Sequence, residues 1–166
     1  MAVSELPATL VLALPDEAAT VALARRLAPA LAQGGVVYLR GELGAGKTTF
    51  ARALLRALGV GERVKSPTYT LLERYHVDGH PAFHLDLYRI AGAGELEWLG
   101  LDELEAPDAI VLIEWPERGA GALPRADLEV ALEHAGTGRA GYLTRLSARA
   151  ANWLTAVNPA DGAGMK

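Results

Sequence analysis

The chain contains no cysteine, which excludes a disulfide framework, a thiol nucleophile and a zinc site built on thiolates. It has no apolar run near the ~20 residues that a membrane helix needs. The apolar stretch Thr9 to Leu14 is too short, and lacks the basic flank, for a signal peptide, so a soluble, unexported, cytoplasmic protein is expected. An excess of positive charge is also missing. Sixteen basic against twenty acidic residues leave a net charge of −4, which gives no general footprint for a polyanion, and neither DNA nor a membrane is an expected partner. Lysine is scarce, three against thirteen arginines, so a lysine inside a motif is not a habit of composition. No repeat with a period of ~20–50 residues is present.

What remains is a chain of 166 residues, 51% of them hydrophobic and 22% charged. That is enough for one domain with a substantial core and too apolar for disorder. The domain is expected over residues 1–158, with a flexible tail over 159–166. Charge is unevenly spread: residues 1–66 hold eight basic and five acidic side chains, whereas 67–166 hold eight basic and fifteen acidic. The first part suits a small anion, and the second a cation or a basic partner.

Thr9–Leu14 reads as a strand stopped by Pro15, and Asp16 as the cap of a helix that turns Val21, Leu23, Leu27 and Leu31 inward. Pro29 is expected to kink that helix or end it early. Gly34 and Gly35 open Val36 to Arg40, an apolar run of the buried parallel-strand type. A glycine-rich loop follows, then a helix with Phe50, Leu54 and Leu58 on one face, Arg52 and Arg56 on the other, and Gly59 as terminator. Tyr69–Tyr75 and Phe83–Tyr88 are strand-like and joined through Asp78-Gly79. Short helical patterns come next, around Glu95–Leu99 and Leu101–Glu105. Ala109–Ile113 is a second buried run, stopped by Pro116. A closing hairpin, Asp127–His134 with Tyr142–Ser147, and a last helix over Ala148–Val157 complete an α/β fold with a mixed parallel and antiparallel sheet.

The strongest signal is Gly41-Glu42-Leu43-Gly44-Ala45-Gly46-Lys47-Thr48, a full G-x-x-x-x-G-K-[ST]. Glycines let consecutive N–H groups turn inward around phosphates, and the helix start presents unpaired amides and partial positive charge. Lys47 reaches the β- and γ-phosphates, and Thr48 offers a hydroxyl to Mg²⁺. Two acids qualify to hold metal or orient water: Glu114, ending a strand beside the P-loop strand, and Asp86, placed by strand alternation. The sequence leaves open which of them polarises the water. A blander reading of Asp86 is an ion pair with Arg74 or Arg89. Ser66, Pro67, Thr68 and Tyr69 form a hydroxyl-bearing loop that a bound nucleotide could order as a switch, or else a plain Ser-Pro turn. His76, His80 and His84 are evenly spaced, but the intervening hairpin would scatter their rings, so they are not read as a metal site.

Taken with Leu14-Pro-Asp-Glu17, His84-Leu-Asp-Leu-Tyr-Arg89, Glu95-Leu-Glu97 and Ile113-Glu-Trp-Pro116, these motifs follow the order of one family over nearly the whole chain. The sequence resembles the bacterial TsaE (YjeE) P-loop ATPases required for threonylcarbamoyladenosine formation in tRNA. The resemblance implies ATP rather than GTP, with Glu42, Leu43, Gly44, Ala45, Gly46, Lys47, Thr48 and Thr49 around the phosphates. It implies Thr48 and Glu114 around Mg²⁺, Asp86 and Thr68 near the terminal phosphate, and an adenine slot near Glu17 and Arg139. Trp115 would join Ser66–Tyr69 in the switch, and Lys47, Glu114 and Asp86 would carry the chemistry. It also implies docking on a TsaB–TsaD complex, with tRNA reached only through that partner. The acidic residues Glu95, Glu97, Asp102, Glu103, Glu105 and Asp108, around Leu96, Trp98, Leu99, Leu101 and Leu104, form the expected docking segment. Two other readings are a P-loop small-molecule kinase, for which no lid segment is evident, and a non-hydrolysing ATP-dependent interaction module.

Overall fold

The computed structural model describes residues 8–60, 64–65, 71–99 and 101–157. Among the described residues seven strands form one sheet: β1 (Thr9–Leu14), β2 (Gly35–Arg40), β3 (Leu72–Val77), β4 (His80–Asp86), β5 (Ile110–Glu114), β6 (Leu128–Ala135) and β7 (Gly138–Arg145). Their spatial order is β1-β7-β6-β2-β5-β4-β3. The four central strands β6, β2, β5 and β4 run parallel, and antiparallel neighbours close both sides, β7 and β1 at one end and β3 at the other. This is the mixed sheet expected from the apolar runs and the hairpin turn. Asp78 and Gly79, both at positive φ (51° and 84°), form the two-residue connection whose twist suits a hairpin.

Strand alternation sorts the core into two layers. Val37, Leu39, Ile110 and Leu112 pack with α1 (Glu17–Leu31), α2 (Lys47–Ala57) and α4 (Trp153–Val157), where Trp153 is buried. Val36, Phe83, Leu85, Val111 and Ile113 pack on the opposite face with Leu96 of α3 (Gly94–Glu97) and Leu104 of a 3₁₀ turn. Glu114 continues the parity of Ile110 and Leu112, and His84 and Asp86 continue that of Ala82, so all three belong to the α2 face.

The Asp16 side chain accepts from the Ala19 amide at 2.9 Å and caps α1. Pro29 does not end α1, which runs two residues further, to Leu31. A proline this close to the C-terminus removes one helical hydrogen bond, and Leu27, Ala28 and Leu31 remain fully packed. At the end of α2, Gly59 N–H donates to Arg56 O and Val60 N–H to Leu55 O, the paired bonds of a glycine-terminated helix. Val21 and Leu58 are only half-buried. The second strand of the hairpin starts at His80 and ends at Asp86, so Tyr88 lies beyond it. Tyr69, expected to begin β3, is outside the described residues, as is the 159–166 tail. The expected final helix is broken into a 3₁₀ turn, Ala148–Ala150, and the short α4. No helix among the described residues is long and apolar enough to cross a membrane.

Asp127 fastens the parallel sheet to the C-terminal segment. Its carboxylate accepts from the Val36 amide at 2.9 Å and from the Ser147 hydroxyl at 2.6 Å, and the side chain is nearly buried. Asp127→Ala leaves a buried N–H unmet and should cost about 2–3 kcal/mol. Urea denaturation should show a lower midpoint with an unchanged m-value.

Candidate functional site

The P-loop joins the end of β2 to the start of α2. Gly41 has φ 149°, and a Cβ there would lie 2.5 Å from Leu132 O. Gly46, at φ 112°, is the N-cap of α2, and no side chain caps the helix start. The first amides of α2 therefore face the loop cavity, an arrangement that accepts an anion. Lys47 is 4% exposed and turns back on its own loop, where Nζ donates to Gly41 O at 2.7 Å and to Glu42 O at 3.0 Å. Its ammonium also lies 4.4 Å from the centre of the Trp115 ring, within cation–π range. Burial holds the Lys47 pKa below the ordinary lysine value, opposed by the negative charges of Glu114, Asp86 and Glu117.

The two candidate acids meet at the other side of Lys47. In the β4–β5 register Asp86 stands opposite Glu114, and in β2–β5 Leu39 stands opposite Glu114. The Thr48 hydroxyl lies 2.9 and 3.0 Å from the two Glu114 carboxylate oxygens. Glu114 is 2% exposed, and its Oε2 also meets His84 Nε2 at 2.7 Å. Asp86 accepts from the Tyr88 amide at 3.0 Å. Burial pushes its carboxyl above the usual range. The Tyr88 N–H opposes this, Glu114 adds to it, and His84 and Lys47 oppose it. Arg74 pairs with Glu103, and Asp86 lines the cleft beside Lys47.

Two of the cavities beside the loop share its glycines. One, of about 400 Å³, is lined by Lys47, Thr48, Asp86, Glu114, Trp115 and Tyr88 among others. The second, of about 270 Å³, lies on the far side between Glu17, Thr20, Thr137 and Arg139. Both are lined in part by Gly44, Gly46 and Thr49. Arg139 buttresses the loop by donating from Nε to Ala45 O at 3.1 Å and from Nη2 to Gly44 O at 3.0 Å. Glu42 and Leu43 are exposed at the loop tip. Trp115 has left-handed backbone (φ 60°), and its ring centre lies 4.9 Å from that of Tyr88. Arg118 lies over both rings. Ser66, Pro67, Thr68 and Tyr69 fall outside the described residues. The hairpin register sets His76 opposite Pro81, while His80 bonds Asp108 and His84 bonds Glu114, so the three rings do not converge. In the sequence His84 stands out only through its motif and the even spacing of the histidines, and Arg118 not at all. Strand parity from Ala82 to Asp86 was the available signal for His84.

A family profile described as threonylcarbamoyl adenosine biosynthesis protein TsaE matches residues 14–141. A Haemophilus influenzae protein named tRNA threonylcarbamoyladenosine biosynthesis protein TsaE is 43% identical over 126 residues, which cover 73% of this chain and 80% of that protein. A Bacillus subtilis protein of the same name is 38% identical over 122 residues, 74% of this chain and 75% of its own. The crystal structure of Bacillus subtilis YdiB superposes with a TM-score of 0.73 at 26% identity, covering 95% of this chain and 99% of that one.

Asp86 supplies a test of the electrostatics. A carboxyl raised in the folded state favours folding below its unfolded pKa, and that contribution is lost as pH rises through the folded value. Asp86→Asn keeps an oxygen for the Tyr88 amide and removes the charge. It should raise the Tm of the nucleotide-free protein by about 1–3 °C at pH 7. The gain should vanish near pH 3, where both side chains are neutral.

Proposed function

Because this chain belongs to the TsaE family, we propose that it supports threonylcarbamoyladenosine formation in tRNA as a Mg-dependent ATPase that docks on a TsaB–TsaD complex and drives its turnover. The observation that carries this reading is the Thr48 hydroxyl against the Glu114 carboxylate at the mouth of a P-loop, with Asp86 in the adjacent strand. These are hard oxygen donors of the kind Mg²⁺ takes, and the uncapped start of α2 suits a polyphosphate. Thr48 and Glu114 would hold the metal, which when bound neutralises charge on the phosphates as the terminal phosphoryl group leaves. Gly44, Ala45, Gly46, Lys47, Thr48 and Thr49 surround the phosphates, with Glu42 and Leu43 at the loop tip. Lys47 exchanges the carbonyls of Gly41 and Glu42 for phosphate oxygens. Glu17 and Arg139 border the slot for the adenine.

The two acids divide the work. Glu114 has both oxygens committed to Thr48 and His84, whereas Asp86 holds one backbone amide and has a raised pKa. Asp86 is therefore the better group to orient water and accept its proton. Trp115 links the nucleotide to the rest of the molecule, since its ring rests on Lys47, and with Ser66–Tyr69 it forms the switch. We assign the working domain to residues 1–158.

Docking falls to the acidic turn after β4. Leu96 and Leu104 belong to the core, but Trp98 is 89% exposed, with Glu95 and Glu97 on its own short helix. Glu103 and Asp108 are engaged by Arg74 and His80. An exposed indole among acids suits a basic, partly apolar partner surface.

In titration calorimetry, Lys47→Ala should abolish tight ATP binding. Single-turnover hydrolysis should fall roughly 10²–10⁴-fold in Asp86→Ala, with nucleotide affinity retained. Glu114→Ala should raise the Mg²⁺ requirement. ATP bound but uncleaved by the wild type, with or without partner, would instead make the chain an ATP-dependent interaction module. The combined variant Trp98→Ala, Glu95→Lys and Glu97→Lys should weaken TsaB–TsaD binding most strongly at low salt, with ATP affinity unchanged. Wild-type partner affinity at both salt concentrations would remove this turn from the interface.

A further inference from the structure

His84 has no access to solvent and lies behind the cleft rather than in its wall. Its Nε2 is 2.7 Å from Glu114 Oε2, and its Nδ1, also buried, has no hydrogen-bond partner among the described residues. An ionised carboxylate only accepts, so this contact requires the ring proton on Nε2. The ring is thus a donor aimed at one oxygen. On the same face of the sheet, Ala82, Ile110 and Leu112 show that an apolar side chain is what this depth of the fold ordinarily holds. The unmet Nδ1 lowers stability, and what the histidine contributes in return is an orientation of Glu114.

Glu114 has two holders. Thr48 bonds it from the cleft side and His84 from the buried side. Thr48 is itself a group that a Mg-nucleotide would engage, so in the loaded state its hydroxyl is shared. His84 cannot be reached by a ligand.

We propose that His84 is a positioning residue that holds the Glu114 carboxylate facing the cleft, in the empty and the nucleotide-loaded protein alike, and so sets metal affinity and hydrolysis. This rests on the reading of Glu114 as a metal-holding group. Buried donors behind metal-holding side chains typically change metal affinity or activity by about 10–100-fold when removed.

The test uses the full chain with three substitutions. His84→Phe fills the ring volume without a donor. His84→Gln carries an amide N–H about as far out as Nε2, and His84→Asn carries one that stops short. Mn²⁺ binding is read by electron paramagnetic resonance in the presence of a non-hydrolysable ATP analogue, alongside single-turnover ATP cleavage and thermal unfolding. His84→Phe and His84→Asn should weaken Mn²⁺ binding by about 10–100-fold and leave metal-free nucleotide affinity unchanged. His84→Gln should restore both metal affinity and cleavage. In a Glu114→Gln background, His84→Phe should have no further effect.

Wild-type Mn²⁺ affinity in His84→Phe would overturn the proposal, as would an undiminished effect in the Glu114→Gln background. So would equal losses in His84→Gln and His84→Asn, since only the ring's shape would then matter. If His84→Phe does not fold, the Gln and Asn pair decides. Wild-type metal affinity and cleavage in Glu114→Gln alone would defeat the functional reading itself, whereas a damaged Glu114→Gln beside a normal His84→Phe defeats only the positioning role.

Discussion

Parallel pairing of β2, β5 and β4 is the constraint from which the candidate site follows. It sets Leu39 opposite Glu114 and Glu114 opposite Asp86, at the strand ends where the chain enters the P-loop. The side-chain period of a strand is two, so a slip of one residue in β5 would turn Glu114 away from α2 and bring Ile113 to Thr48. Burial on both faces prevents that slip. Ile110 and Leu112 are enclosed by the helical layer, and Val111 and Ile113 by the opposite one. The hydrophobic core fixes the register, and the register places the acids.

The charge arrangement at the mouth of the loop is balanced but under tension. One buried ammonium stands near two carboxylates, and the burial that raises Asp86 is the same that lowers Lys47. Neither is neutralised by a direct ion pair with the other among the described contacts. Lys47 rests on carbonyls and an indole ring, while Glu114 rests on a hydroxyl and an imidazole. Lys47, resting on neutral partners, can exchange them for a charged ligand without first breaking a salt bridge.

Local signals made much of this legible. The glycines, Lys47 and Thr48 are contiguous, Asp16 and Gly59 mark helix ends by their own chemistry, and parity along β4 and β5 places Asp86 and Glu114 on one face. Pro29 misled because its cost depends on where the helix stops, which packing of Leu31 decides. The contacts that were not legible are long-range. His84 and Glu114 are 30 residues apart, Arg139 and Ala45 are 94 apart, and Val36 and Asp127 are 91 apart. Each depends on which strands become neighbours, a choice that no local pattern encodes. The docking segment failed partway for a related reason. Its leucines and tryptophan look alike in sequence, and only the fold separates Leu96 and Leu104, which are buried, from Trp98, which is not.

The three tryptophans occupy three different surroundings. Trp98 is open to water, Trp153 is 6% exposed in the helical layer, and Trp115 carries the Lys47 ammonium on its face. Indole emission moves to longer wavelength in water and is altered by a neighbouring cation, so the chain holds three native optical probes with separable signals. Departure of Lys47 from the ring perturbs the emission of Trp115, and covering the acidic turn perturbs that of Trp98. Trp153, packed against Gly35 at the opposite end of β2 from the P-loop, serves as the reference against which the other two are read, with no label attached to the protein.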